Sequence, residues 1–117
     1  MAIDVTTCKQ NPNVNIAILS GRLDTLTSEA VTVDLQQALE GSTTGILIDM
    51  QRVDYISSAG LRTLIIVYKN AQATGKQVAM IHVQPSVYKI FKVAGLVSIY
   101  QIFDGEERAL DAMGRAV

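Results

Sequence analysis

Gly45 to Met50 reads GILIDM, a short, β-branched and almost unbroken apolar run. A strand with one wet face alternates apolar and polar residues, whereas a run apolar at consecutive positions must be covered on both faces. That is the situation of a central strand in a parallel sheet flanked by helices. KQVAMIHV, from Lys76 to Val83, has the same form, and VNIAIL, from Val14 to Leu19, alternates with its gaps partly filled. Between these runs the apolar spacing becomes helical, so the sequence predicts an α/β domain with a mixed, mainly parallel sheet.

The earlier stretch IDVTTC alternates more weakly and is separated from VNIAIL by Asn11, Pro12 and Asn13, residues suited to a turn. An N-terminal hairpin with an outer edge strand follows. Leu26, Ala30, Val33 or Asp34, Leu35, Ala38 and Leu39 predict a first helix ending at Gly41. Leu61, Leu64, Ile65 and Tyr68 recur at i, i+3, i+4 and i+7 and predict a second, beginning at Ser57–Ser58 and running up to Gly75. A third starts at Pro85 and stops at Gly95; SIYQIF is a last strand and EERALDAM a last helix.

With 117 residues the chain suits one domain spanning 1–117. Ten Lys and Arg against 11 Asp and Glu leave a formal net charge of -1, with no positive field to gather nucleic acid or anionic lipid. No run approaches the roughly 18 apolar residues of a membrane span, and the N-terminus carries no signal-peptide pattern. The expectation is a cytoplasmic protein that binds neither nucleic acid nor membrane. Cys8, the one cysteine, has no disulfide partner and reads as a small apolar residue near a strand.

Ser57, Ser58, Ala59 and Gly60 place four small residues at the start of the second helix. One serine suffices as a cap, which contributes about 1 kcal/mol. Glycine in a first turn costs up to about 1 kcal/mol against alanine, so a bare backbone here calls for a reason. Close approach of a phosphate or of a partner's backbone to the helix N-terminus supplies one. Nucleophilic catalysis does not fit: His82, the only histidine, reads as a packing residue in a strand, and SSAGL lacks the glycine before the serine of a nucleophile elbow. Asp24, Asp49, Asp54 and Asp104 stand singly, without metal-site or paired-carboxylate spacing. The chain reads as a non-enzyme without metal or cofactor.

SGRLD at Ser20–Asp24, ILIDMQRVDYISSAGLRTLI at Ile46–Ile65 and PSVYKIFKVAGL at Pro85–Leu96 resemble, in order and spacing, bacterial anti-sigma factor antagonists of the STAS family. The resemblance implies the family's mixed sheet flanked by helices, here a hairpin-led sheet with about four. It implies phosphorylation of the residue two places before the Gly60–Leu61 pair, Ser58, and a partner surface at Asp24, Ser57, Ser58, Ala59, Gly60 and Arg62. The pattern departs at Ser57, where many phosphorylated members carry aspartate, and at Arg62, where many carry glycine. The implied mechanism is partner switching in transcription regulation. The unmodified protein binds an anti-sigma factor that is also its serine kinase and releases it once phosphorylated, and a serine phosphatase resets the system. The other reading is a STAS scaffold or adaptor in a signalling or lipid-transport complex, without turnover at Ser58.

Overall fold

A computed structural model describes residues 1–115. Five strands, β1 (Ala2–Thr7), β2 (Val14–Leu23), β3 (Gly45–Ile56), β4 (Gln77–Ile81) and β5 (Gln101–Phe103), lie side by side in chain order. β1 pairs antiparallel with β2, and every later pair is parallel. The N-terminal hairpin, the outer position of β1 and the mixed, mainly parallel sheet all match the sequence reading. Four α-helices alternate with the strands: α1 (Ser28–Glu40), α2 (Ser58–Ala73), α3 (Pro85–Val93) and α4 (Glu106–Arg115).

The unbroken apolar runs are explained by two cores. Ile46, Ile48, Val78 and Met80 face one side with Leu35 and Leu39 of α1, Leu64 and Val67 of α2, and Val87 and Phe91 of α3. Leu47, Ala79 and Ile81 face the other, under Ala109 and Met113 of α4. Three helices therefore share one face and a single helix covers part of the other. Cys8 is buried in the second core, as a small apolar residue should be. Its Sγ lies 3.2 Å from Glu106 Oε1, and burial, reinforced by that carboxylate, pushes the thiol pKa up.

The strands differ in length in a way that shapes the far end of the molecule. β3 and β4 pair only as far as Asp49 and Ile81, while β2 and β3 continue together to Leu23 and Ile56. The two long strands carry their ends past the rest of the sheet, and α3 packs against β3. At the opposite end Gly45 has φ +153°, and a Cβ there would strike the Gln77 backbone, so only glycine admits this close crossing.

Several local expectations need correction. α1 starts at Ser28, and Leu26, expected on its apolar stripe, lies in the preceding turn with 93% of its surface exposed. Val31 is buried in place of Ala30 and Val33. In α2 the fully buried face is Thr63, Leu64, Val67 and Ala71, which leaves Leu61, Ile65 and Tyr68 only partly buried at its margin. The first half of SIYQIF is not strand: Leu96–Ser98 forms a 3-10 turn, and Tyr100 buries its ring to donate a 2.7 Å hydrogen bond to the Leu64 carbonyl. Burial pushes that phenol's pKa up, so it remains a neutral donor.

His82 is the plainest correction. It lies just past β4, exposed, with φ +58°, the left-handed region uncommon for a residue with a side chain. Its Nδ1 is 3.3 Å from Asp49 Oδ1, and the same carboxylate oxygen accepts the Gln51 N–H at 3.0 Å. Histidine here anchors a turn to β3 at Asp49, where the pairing with β4 stops, and is not a strand packing residue.

Candidate functional site

Because β2 and β3 are parallel and end in register at Leu23 and Ile56, the loops that follow them emerge side by side. The Ser57 N–H donates to the Leu23 carbonyl at 2.9 Å, carrying the strand pairing one step into the second loop. Asp24 and Ser57 are thereby neighbours in the fold although 33 positions apart. The strands run in unbroken chain order with α1, α2 and α3 on one face, so no switch point opens between them. The site is a rim on the surface and not the crevice that an open α/β sheet suggests.

Ser57 is the N-cap of α2, with extended backbone (φ -97°, ψ 175°). Its Oγ accepts the Gly60 N–H at 3.3 Å, and its carbonyl accepts the Leu61 N–H at 2.9 Å. Ser58 is the first helical residue and is exposed; among the described residues its hydroxyl has no hydrogen-bond partner within the protein. The serine doublet thus divides two tasks. Ser57 holds the helix end, and Ser58 presents a free hydroxyl to solvent.

Gly60 is small for an internal reason. It is buried, and a Cβ placed on it would lie 2.7 Å from the Leu23 carbonyl oxygen, 2.8 Å from Ile56 Cγ1 and 2.8 Å from Leu23 Cγ. The space beside it is filled by the ends of β2 and β3, so the expectation that glycine serves a partner's approach gives way to packing inside the protein. Ala59 is half-buried.

The neighbouring loop is a compact polar turn. The Asp24 carboxylate accepts the N–H groups of Leu26 at 3.0 Å and Thr27 at 3.2 Å, and Thr27 Oγ1 accepts the Asp24 N–H at 3.0 Å while donating to the Arg22 carbonyl at 2.9 Å. Arg22 Nε is 3.7 Å from Asp24 Oδ2, and its guanidinium lies over the Tyr55 ring at 4.0 Å. Asp24, picked out as a partner contact, is first of all the organiser of its own turn. Arg62 is exposed on α2, one turn beyond Ser58.

Sequence reasoning missed what holds α2 at this angle. Thr63 is buried, with its hydroxyl 2.8 Å from Thr32 Oγ1 and donating to the Ser28 carbonyl at 3.2 Å, and Asn70 reaches Gln36 at 2.9 Å. A threonine beside the apolar stripe of α2 was the available signal, since a buried hydroxyl needs a partner.

Comparison with known proteins bears on the whole chain. The STAS domain family model matches residues 6–109. The anti-sigma F factor antagonist of Paenibacillus polymyxa is 31% identical over 98 residues, 83% of this chain and 84% of that protein. BtrV of Bordetella bronchiseptica is 28% identical over 102 residues, 87% of this chain and 88% of that protein. Among solved structures, the anti-sigma factor antagonist SpoIIAA in its unphosphorylated form superimposes with a TM-score of 0.71 at 17% identity, covering 99% of this chain and all of that one. A STAS domain protein from Planctomyces limnophilus reaches 0.82 at 21% identity, covering 96% and 97%. Sheet order, helix placement and the family match agree: the chain belongs to the STAS domain family.

Proposed function

We infer that this protein is an anti-sigma factor antagonist that works by partner switching, with Ser58 as the switch. The observation that carries this reading is the division of labour between the two serines. Ser57 makes the cap, so the Ser58 hydroxyl is exposed and free of structural duty at the start of a well-anchored helix. A second support is the name borne by the Paenibacillus polymyxa relative, an anti-sigma F factor antagonist.

The partner is an anti-sigma factor that is also a serine kinase. In the modification the γ-phosphoryl group of ATP forms a bond to Ser58 Oγ, the hydroxyl proton is lost and ADP leaves. The phosphate brings about -1.5 to -2 charge at neutral pH. Buried unpaired in a contact, such a charge costs several kcal/mol, and each 1.4 kcal/mol lowers affinity tenfold. The docking rim combines Ser57, Ser58, Ala59 and Arg62 with the turn shaped by Asp24; Gly60 contributes by letting α2 seat against β2 and β3. A serine phosphatase returns the protein to the binding form. The protein itself is a regulator and performs no catalysis.

The test is direct: incubation with the cognate kinase and ATP adds one phosphate, mapped by mass spectrometry to Ser58 and lost in Ser58→Ala. Phosphate at Ser57 would place the switch on the capping serine and sink this assignment. The scaffold reading draws on two local facts, Ser57 in place of the frequent aspartate and Arg62 in place of the frequent glycine. A protein that binds its partner through another face and stays unmodified under the same conditions would support it.

A further inference from the structure

Arg62 is four residues beyond Ser58 in α2, so both side chains leave the helix on the same flank, with Cβ atoms about 5–6 Å apart. Arg62 is exposed, and among the described residues it makes no ion pair or hydrogen bond. The first turn of α2 holds no acidic residue to compete for it. The other cation of this rim, Arg22, is already placed between the Asp24 carboxylate and the Tyr55 ring. One uncommitted guanidinium therefore stands within reach of the uncommitted Ser58 hydroxyl.

We propose that Arg62 is an intramolecular clamp for phosphorylated Ser58: its guanidinium pairs with the phosphate oxygens and holds the modified side chain along α2. The proposal rests on Ser58 being the modified residue and adds what this chain does with the phosphate. A guanidinium presents paired N–H donors that match phosphate oxygens, which an ammonium at the same place does less well. The clamp has a consequence for switching. In the unmodified protein Arg62 is available to an acidic group of the partner, and in the modified protein the phosphate occupies it. Phosphorylation then adds a repulsive charge and withdraws an attractive one in a single step.

The test installs phosphoserine at position 58 by genetic code expansion, so that no kinase is needed, and follows its second ionisation by phosphorus NMR. A nearby cation favours the dianion and lowers that pKa. With Arg62 the titration midpoint is expected about 0.4 pH unit below that of the Arg62→Gln protein, a difference that Arg62→Lys restores only in part and that 1 M salt shrinks. Asp24 and Arg22 are common to all these proteins and cancel in the comparison. Coincident midpoints for Arg62 and Arg62→Gln, with both proteins folded, would overturn the clamp. Failure of the kinase to modify Ser58 would instead overturn the switch, a result the NMR titration neither needs nor imitates.

Discussion

The two loops at the ends of β2 and β3 are neighbours joined by one backbone hydrogen bond, yet they are built by opposite means. The turn after β2 is a closed polar network: the Asp24 carboxylate, the Thr27 hydroxyl and the Arg22 guanidinium all have partners inside it. The turn after β3 is held by packing, with Gly60 pressed against Leu23 and Ile56 and one capping bond from Ser57. In the second turn this leaves Ser58, the first residue of α2, with an exposed and unbonded hydroxyl. Where packing and one cap hold the backbone, the next polar side chain is left over for a partner or an enzyme.

The strongest way to break this contrast is Gly60→Ala. A methyl group placed 2.7–2.8 Å from the Leu23 carbonyl, Leu23 Cγ and Ile56 Cγ1 must push the helix end off both strands. Overpacking of this kind costs about 1–3 kcal/mol, and urea denaturation should register a loss near the middle of that range. A variant as stable as the parent would show that packing does not anchor the loop.

Next in size is a change of function without a change of fold. Ser58→Asp supplies roughly one negative charge where phosphate supplies up to two. It should leave thermal melting unaltered and weaken binding to the anti-sigma factor at least tenfold, the equivalent of about 1.4 kcal/mol. Affinity within about twofold of the parent would be the behaviour of a contact on another face, where an exposed charge is screened, and would favour the scaffold reading.

The polar turn should answer to Asp24→Ala. The Leu26 N–H loses its acceptor and the Thr27 N–H keeps only the Asp24 carbonyl at 3.2 Å, so a destabilisation of about 1 kcal/mol is expected. Hydrogen exchange should quicken at Leu26 and Thr27 while Ser57 and Gly60 keep their protection. Equal loss of protection in both loops would mean that they form one cooperative unit.

The smallest effect separates the two serines. Ser57→Ala removes the cap and should cost about 1 kcal/mol; Ser58→Ala removes an exposed, unbonded hydroxyl and should stay within about 0.5 kcal/mol of the parent. The reverse order would exchange the roles assigned to them.

The sheet's composition, the hairpin and the order of helices were legible in the chain because each rests on local pattern. GILIDM is apolar at consecutive positions because Ile46 and Ile48 meet three helices while Leu47 meets the fourth. The phosphorylation candidate was legible only through family resemblance, since a free serine and a capping serine look alike in a string of letters. The sequence also determined that one of the doublet would cap α2, but not which. That choice depends on where β3 ends, and β3 runs on to Ile56 because β2 continues beside it to Leu23.

Tertiary structure alone decided the meaning of Gly60, Asp24 and His82. Gly60 is small because Leu23, 37 positions earlier, occupies the space beside it. Asp24 turns inward because the N–H groups of Leu26 and Thr27 point at its carboxylate. His82 leaves the strand because its ring reaches Asp49 on the neighbouring one. Periodicity reports which face a residue belongs to, because that follows from the geometry of one helix or strand. What fills the space opposite that residue is set by a segment distant in the chain, and no local pattern contains it.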